Sequence, residues 1–354
     1  MTLRRIDAVP GTPGHPIIRL GRIGVLLVNL GTPDSTSVPD VRRYLAEFLS
    51  DRRVIEVNPL LWKLILHGFI LRVRPPKTAE AYKAIWMAET DESPLRFHTR
   101  AAAEALQERL DPDAETVRVD WAMRYGNPAV RDRMAALQDE GCDRILVLPL
   151  YPQYSASTTG TVVDEVSRFL MTKRWQPAVR TVPAFHDDPV YVEAIANGIQ
   201  AHLATLDWEP EVILASFHGL PKRYLTQGDP YHCHCAKTAR LVRERLGLDA
   251  NKLRLTFQSR FGREEWLRPY TDETIAELAG AGVKRLAVVM PGFVADCVET
   301  LEEIGIQARE TFEHAGGTHF SLVPCLNSSV DATSLYETLV HRELAGWWKP
   351  ETVG

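Results

Sequence analysis

The sequence has little that would carry it out of the cell or across a membrane. Five cysteines in 354 residues are an odd number spread over a long chain, which argues against a disulfide framework and for reduced thiols. No segment reaches the roughly 18 uninterrupted apolar residues of a spanning helix. The nearest, "NPLLWKLILHGFILRVRPPK", is broken by Lys63 and His67 and ends in a basic cluster. The N-terminal stretch has two arginines but no apolar run of signal length, so the expected compartment is the cytoplasm. Basic excess is missing as well: 41 Lys plus Arg face 46 Asp plus Glu, for a net charge of −5, and no nucleic-acid partner is expected. Three common site signatures are also lacking. "NLGTPDS" after the first strand holds one glycine, not G-x-G-x-x-G; there is no P-loop; and "SFHGLP" puts histidine where a nucleophile elbow has serine.

Short β-branched runs alternating with longer amphipathic segments fill the chain, the pattern of parallel strands joined by crossover helices. The runs fall into two sets of four. "RIGVLLVNLGTP", "TVRVDWAMRYGNP", "DRILVLPLYPQYS" and "AVRTVPAFHDDP" form the first; "EVILASFHGLP", "LRLTFQSRFG", "VKRLAVVMPGFVAD" and "HFSLVPCLNSS" form the second. Most end in a Gly or Pro turn. The expected fold is α/β: two similar doubly wound, Rossmann-like domains, each a four-stranded parallel sheet flanked by helices, with a cleft between them. Residues 22–190 make the first domain, 191–328 the second, and 329–354 a C-terminal helix that packs back on the body. In such folds ligands bind outside the carboxyl ends of the strands, so the residues that follow strands are the site candidates.

Two of them bear on chemistry directly. His218 ends a strand, where an imidazole is a base, a ligand, or a side chain bonded to the backbone. Glu299 follows "VADC"; Asp296 at a helix start with Glu299 three residues on resembles a capping box, a purely structural reading. Against that reading, Glu299 and Glu303 are four apart with Glu302 beside them, and like charges at that spacing weaken a helix. "HCHC" at 232–235 has four potential ligands, but adjacent residues do not fit the C-x₂₋₄-C spacing of structural zinc. A helix N-terminus after the "GDPY" turn is the expectation there.

Six segments in order, "LLVNLGTPDS", "MRYGNP", "LPLYPQYSASTTG", "SFHGLPKRYLTQGDPY", "FQSRFGREEWLRPYT" and "MPGFVADCVETLEEIGI", resemble the ferrochelatase family over about residues 22–328. The resemblance implies a chelatase-like lyase that inserts Fe²⁺ into protoporphyrin IX with release of two protons, the terminal step of haem synthesis. By motif position it implies His218 and Glu299 as the catalytic and metal-handling pair. It further implies Leu30, Arg124, Tyr125, Tyr151, Trp266 and Phe293 around the macrocycle. Fe²⁺ is then a substrate and no permanent cofactor is expected. Some relatives hold a [2Fe–2S] cluster with one cysteine in the segment matching "YPQYSASTTG" and three in a C-terminal extension; here Ala156 and a cysteine-free tail stand in those places. The histidine of some members beside the acidic motif is Cys297 here. The helix at 59–73 is expected either to pack on the core or to touch the inner face of the membrane. Monomer and homodimer stay open, as do a chelatase for another tetrapyrrole and a non-catalytic haem or metal carrier.

Overall fold

A computed structural model describes residues 4–6, 18–262 and 264–348. Most of the N-terminal stretch and the last residues of the tail, 349–354, therefore lie outside the described residues. A short antiparallel pair, β1 (Arg4–Ile6) with β2 (Ile18–Leu20), precedes two four-stranded sheets. The first sheet contains β3 (Arg22–Thr32), β4 (Val117–Gly126), β5 (Cys142–Pro149) and β6 (Ala178–Thr181); the second contains β7 (Val212–His218), β8 (Leu253–Gln258), β9 (Arg285–Val289) and β10 (His319–Leu322).

Both sheets are wholly parallel and share one topology. The first is ordered β4-β3-β5-β6 and the second β10-β9-β7-β8. In each, the second strand lies on one side of the first strand and the third on the other. The switch points therefore fall between β3 and β5 and between β7 and β9, where chain direction opens a crevice at the carboxyl ends. The opening strand of each half is covered on both faces: Val25 to Val28 and Ile213 to Phe217 are buried. That burial is why these strands read as continuous apolar runs rather than alternating ones.

One face of both sheets belongs to a single core. Val25, Leu27, Leu146 and Leu148 from the first sheet and Ile213, Ala215, Ala287 and Val289 from the second pack with helices Pro94–Leu110, Pro189–Leu203, Tyr231–Arg245 and Val330–Glu343. The opposite faces have separate cores, built around Leu26, Val28 and Ile145 in one half and Leu214, Leu286 and Val288 in the other. A Leu-to-Ala change in the shared core is expected to cost about 2–5 kcal/mol.

The last helix, Val330–Glu343, lies against helix Pro94–Leu110 of the first half. Arg109 Nη1 bonds Ser334 Oγ at 2.8 Å and Glu337 at 3.1 Å, and Arg342 pairs with Asp188.

The segment from Val38 to Ile85 forms a helical lip. Helix Val38–Ser50 is capped by Ser37, whose hydroxyl accepts from Asp40 N at 3.3 Å. Helix Pro59–Ile65 then passes through a π-helical turn, Leu66–Ile70, into helix Leu71–Ile85. Leu66, Leu71 and Tyr82 face a core with Val41 and Leu45. Leu60, Leu64, Phe69 and Val73 point outward, with Leu60 78% exposed and Leu64 73%. Among the described residues no helix is long and apolar enough to cross a membrane.

Candidate active site

The carboxyl ends of the first sheet contribute a wall. After Asn29, whose amide donates to Thr99 Oγ1 at 3.1 Å, β3 reaches Leu30 and Gly31. Gly31 has φ +118°, and a Cβ there would lie 1.8 Å from the Tyr125 carbonyl, so only glycine lets β3 and β4 approach so closely beside the cleft.

Arg124 and Tyr125 end β4 almost without exposure, at 7% and 1%. The Arg124 guanidinium donates to Thr161 O at 2.9 Å, forms an ion pair with Asp51, and lies 4.3 Å over the Tyr125 ring. Tyr125 Oη donates to the same Asp51 oxygen at 3.0 Å. Every charge-bearing group in this wall is thus paired within the protein, as burial requires. Tyr151, which follows β5, is half-buried, and its hydroxyl is buried without a partner among the described residues.

The second sheet presents a different surface. His218 ends β7 half-buried, with Nδ1 2.6 Å from Gly219 O. A carbonyl only accepts, so Nδ1 bears the hydrogen and the neutral ring keeps its lone pair on Nε2. Nε2 has no partner among the described residues. A Cβ on Gly219 would lie 2.7 Å from Gln258 O and 3.3 Å from Trp266, so glycine is what lets the turn after His218 close on β8. Trp266 is buried, with Nε1 donating to Phe261 O at 3.0 Å. Phe293 follows β9 and meets Leu30 of the other half on a small cluster of Leu95, Ala295 and Cys297.

Glu299 lies in a short helix, Val298–Leu301, and the capping box differs from the sequence expectation. Cys297 is the N-cap and Thr300 its partner: Cys297 N donates to Thr300 Oγ1 at 3.0 Å. Asp296 sits one residue earlier, accepting from Thr300 Oγ1 at 3.0 Å and Asn327 Nδ2 at 2.7 Å. The box reading of Asp296 and Glu299 is therefore corrected, because the turn starts one residue later and a threonine supplies the returning oxygen. Glu299 has no part in the cap.

Burial raises the hydroxyl pKa of Tyr44, Tyr82 and Tyr151, and the charge of Glu299 adds to the rise in all three. Val298 and Leu301, in the same short helix, pack against the lip core of the first half. Glu303, one turn on, begins a π-helical turn, Glu303–Ala308. Its carboxyl is raised to about 7 by burial first and then by Glu299, while Ser259 Oγ donates a short hydrogen bond to it.

"HCHC" opens helix Tyr231–Arg245. Its side chains diverge: Cys233 is exposed, Cys235 is fully buried, and the His234 ring stacks on His186 at 3.6 Å while Nδ1 accepts from Tyr154 N at 3.2 Å. These residues join the second half to loops of the first. Among the described residues no group of three or more His, Cys, Asp or Glu side chains is arranged to hold a metal. A cavity of about 960 Å³ opens against Arg124 and Tyr125, lined also by Asp51, Arg52, Arg53 and Ile55. His218 and Glu299 are not among the residues that line it. Sequence reasoning missed Asp51, which no short motif connects to Arg124 across 73 positions.

Two doubly wound halves of one topology define a chelatase-like two-domain protein. The same fold occurs in SirB from Bacillus subtilis, solved with Fe³⁺, at a TM-score of 0.55 over 92% of this chain and 96% of that one. Identity there is 13%, so the likeness speaks for the fold alone. Sequence comparison goes further. The ferrochelatase family model matches residues 22–344. The ferrochelatase of Allorhizobium ampelinum is 59% identical over 333 residues, 94% of this chain and 96% of its own, and that of Rhizobium meliloti is 58% identical over 94% and 98%. The chain belongs to the ferrochelatase family and is a metal chelatase.

Proposed function

We propose that this chain is a lyase that inserts Fe²⁺ into protoporphyrin IX, with His218 and Glu299 handling the metal and the two pyrrole protons. The observation that carries the reading is the fixed tautomer of His218: with Nδ1–H given to Gly219 O at 2.6 Å, Nε2 keeps a lone pair at the end of β7, and Glu299 lies in the short helix after β9, the strand that neighbours β7.

Insertion replaces two N–H protons by one Fe²⁺, and the protein must bend the ring, accept the protons and strip water from the metal. Leu30, Phe293 and Tyr151 are the half-buried side chains that would touch the macrocycle. Tyr125, Trp266 and Arg124 are buried and would keep the walls stiff. Arg124 contributes to binding by fixing that wall through Asp51, not by offering its charge to a propionate. Binding the rest of the ring supplies the energy to distort its centre. Neutral imidazole and carboxylate both ligate Fe²⁺ and both accept protons. Glu303, poised near neutrality, is suited to pass a proton from Glu299 toward the surface.

We infer that the enzyme holds no resident iron–sulfur cluster, because Ala156 stands at one ligand position. The outward row Leu60, Leu64, Phe69 and Val73 is the face by which the lip would rest on a membrane carrying the apolar substrate.

The test is anaerobic absorbance of purified protein with protoporphyrin IX and Fe²⁺. Many metallations per chain are expected. A change that stops at one equivalent is the signature of a carrier and contradicts the reading, as does turnover of a more carboxylated tetrapyrrole in preference to protoporphyrin.

A further inference from the structure

Gln258 closes β8 and is the strand partner of His218. It is buried, at 6% exposure, and its polar groups reach to both sides of the proposed chemistry. Its main-chain carbonyl accepts from Gly219 N at 2.6 Å. The same Gly219 holds His218 Nδ1 through its own carbonyl, so Gln258 anchors the peptide that sets the imidazole. Its side chain runs the other way. Oε1 accepts from Ser216 Oγ at 2.7 Å, and Nε2 donates to the main-chain carbonyl of Glu299 at 2.7 Å. Ser216 Oγ also lies 2.8 Å from Thr271 Oγ1, which lies 2.9 Å from Thr256 Oγ1.

These bonds are costly to build in this place. A primary amide buried at a strand end is unfavourable unless each of its groups is bonded, and a β-branched apolar side chain suits a half-buried sheet better. The chain nevertheless places a glutamine, a serine and two threonines there, all buried. Among the described residues the amide is the one side chain that bonds both Ser216 of β7, two residues before His218, and the short helix that bears Glu299. The carbonyl it holds lies just before the passage from Val298–Leu301 into the π-helical turn at Glu303.

We propose that Gln258 is a positioning residue, which sets the separation and orientation of His218 and Glu299 by gripping the main chain beside each. The inference rests on reading those two residues as the metal- and proton-handling pair. Two groups acting on one metal and one pair of protons need a fixed separation, and a misplacement of about 1 Å can lower turnover about 10²-fold.

The experiment is a cycle of Gln258→Met, Glu299→Gln and the double variant, with kcat, porphyrin affinity by fluorescence quenching, and thermal unfolding read on each. Methionine keeps the length of the side chain and removes both hydrogen bonds. In the wild-type background it is expected to lower kcat about 10- to 100-fold and to leave porphyrin affinity within about threefold. In the Glu299→Gln background it should cost less than about threefold more, because a residue that acts through Glu299 has nothing left to position. Losses that multiply across the two sites, or a folded Gln258→Met enzyme with kcat within twofold of wild type, overturn the inference.

If Gln258→Met does not fold, Ser216→Ala removes only the hydroxyl that orients the amide. It should lower kcat about threefold or more in the wild-type background and not at all with Glu299→Gln; unchanged kcat in the wild-type background overturns the inference. Near-normal turnover by Glu299→Gln alone is a distinct result. It contradicts the underlying reading of Glu299, and the positioning role falls with it.

Discussion

The two halves repeat one topology and end their opening strands in opposite chemistry. At the end of β3 and β4, Asn29, Arg124 and Tyr125 are all bonded within the wall, to Thr99, Asp51 and Thr161. At the end of β7, His218 gives one nitrogen to the backbone and keeps the other. The fold gives the two halves equivalent strand ends, and on the proposed function pairing separates a scaffold edge from a reacting one. A polar residue with every group matched stabilises a shape, whereas one with a lone pair left over toward a crevice can do chemistry.

If that contrast is right, substitutions in the second half should damage turnover before stability, and those in the first half the reverse. The largest effect on chemistry is expected from Glu299→Gln, which should lower kcat by at least about 10²-fold with folding and porphyrin binding retained. Combined with His218→Ala, it should cost less than the product of the single losses. Steady-state kinetics with equilibrium porphyrin titrations check both statements. In the first half, Asp51→Ala leaves the Arg124 guanidinium buried without its partner and should cost about 3–5 kcal/mol of stability. Denaturant unfolding reads that loss, and an unfolding midpoint equal to wild type would break the comparison from its other side.

Glu303 sits between the two behaviours. Its carboxyl is raised to about 7, so the folded state binds the proton more tightly than the unfolded chain does. Its stabilising contribution is complete below the ordinary carboxyl value and disappears as pH rises from there through about 7. Wild type should therefore lose on the order of 3 kcal/mol over that interval from this group, and Glu303→Gln should not. Parallel stability curves for the two proteins would contradict the raised value.

The smallest effect is expected at the lip. Leu60→Asp with Leu64→Asp should lower activity on liposome-borne porphyrin several-fold more than on detergent-dispersed porphyrin. Equal losses in the two assays argue against docking.

Much of this was readable beforehand. All eight strands of the two sheets fall within the eight runs quoted above, and the opening strands β3 and β7 are the plainest because a parallel strand buried on both faces has no polar alternation to blur it. His218 stood out because it replaces the serine of a familiar turn. The partners of site residues were not legible. Asp51 is 73 positions from Arg124, and Ser216 is 42 from Gln258, separations at which no local pattern connects two side chains. Gln258 looks in the sequence like an ordinary strand residue; only the register with His218 and the bond to Glu299 O give it a role. The cap at Cys297 was misread by one position because Asp is a far commoner N-cap than Cys, and the start of so short a helix is set by tertiary contacts with Asn327 and Cys325. Arg4–Ile6 and Ile18–Leu20 form strands too short for periodicity to show.

The most direct measurement compares wild type with His218→Ala in anaerobic single-enzyme-concentration assays, counting haem formed per chain from protoporphyrin IX and Fe²⁺ while porphyrin binding is followed in the same samples. The account predicts many turnovers for wild type and a loss of at least about 10²-fold for the variant, with porphyrin bound to both at similar affinity. A His218→Ala protein that binds porphyrin and makes haem at near wild-type rate would contradict it, and would show that the free nitrogen at the end of β7 is not where the reaction takes place.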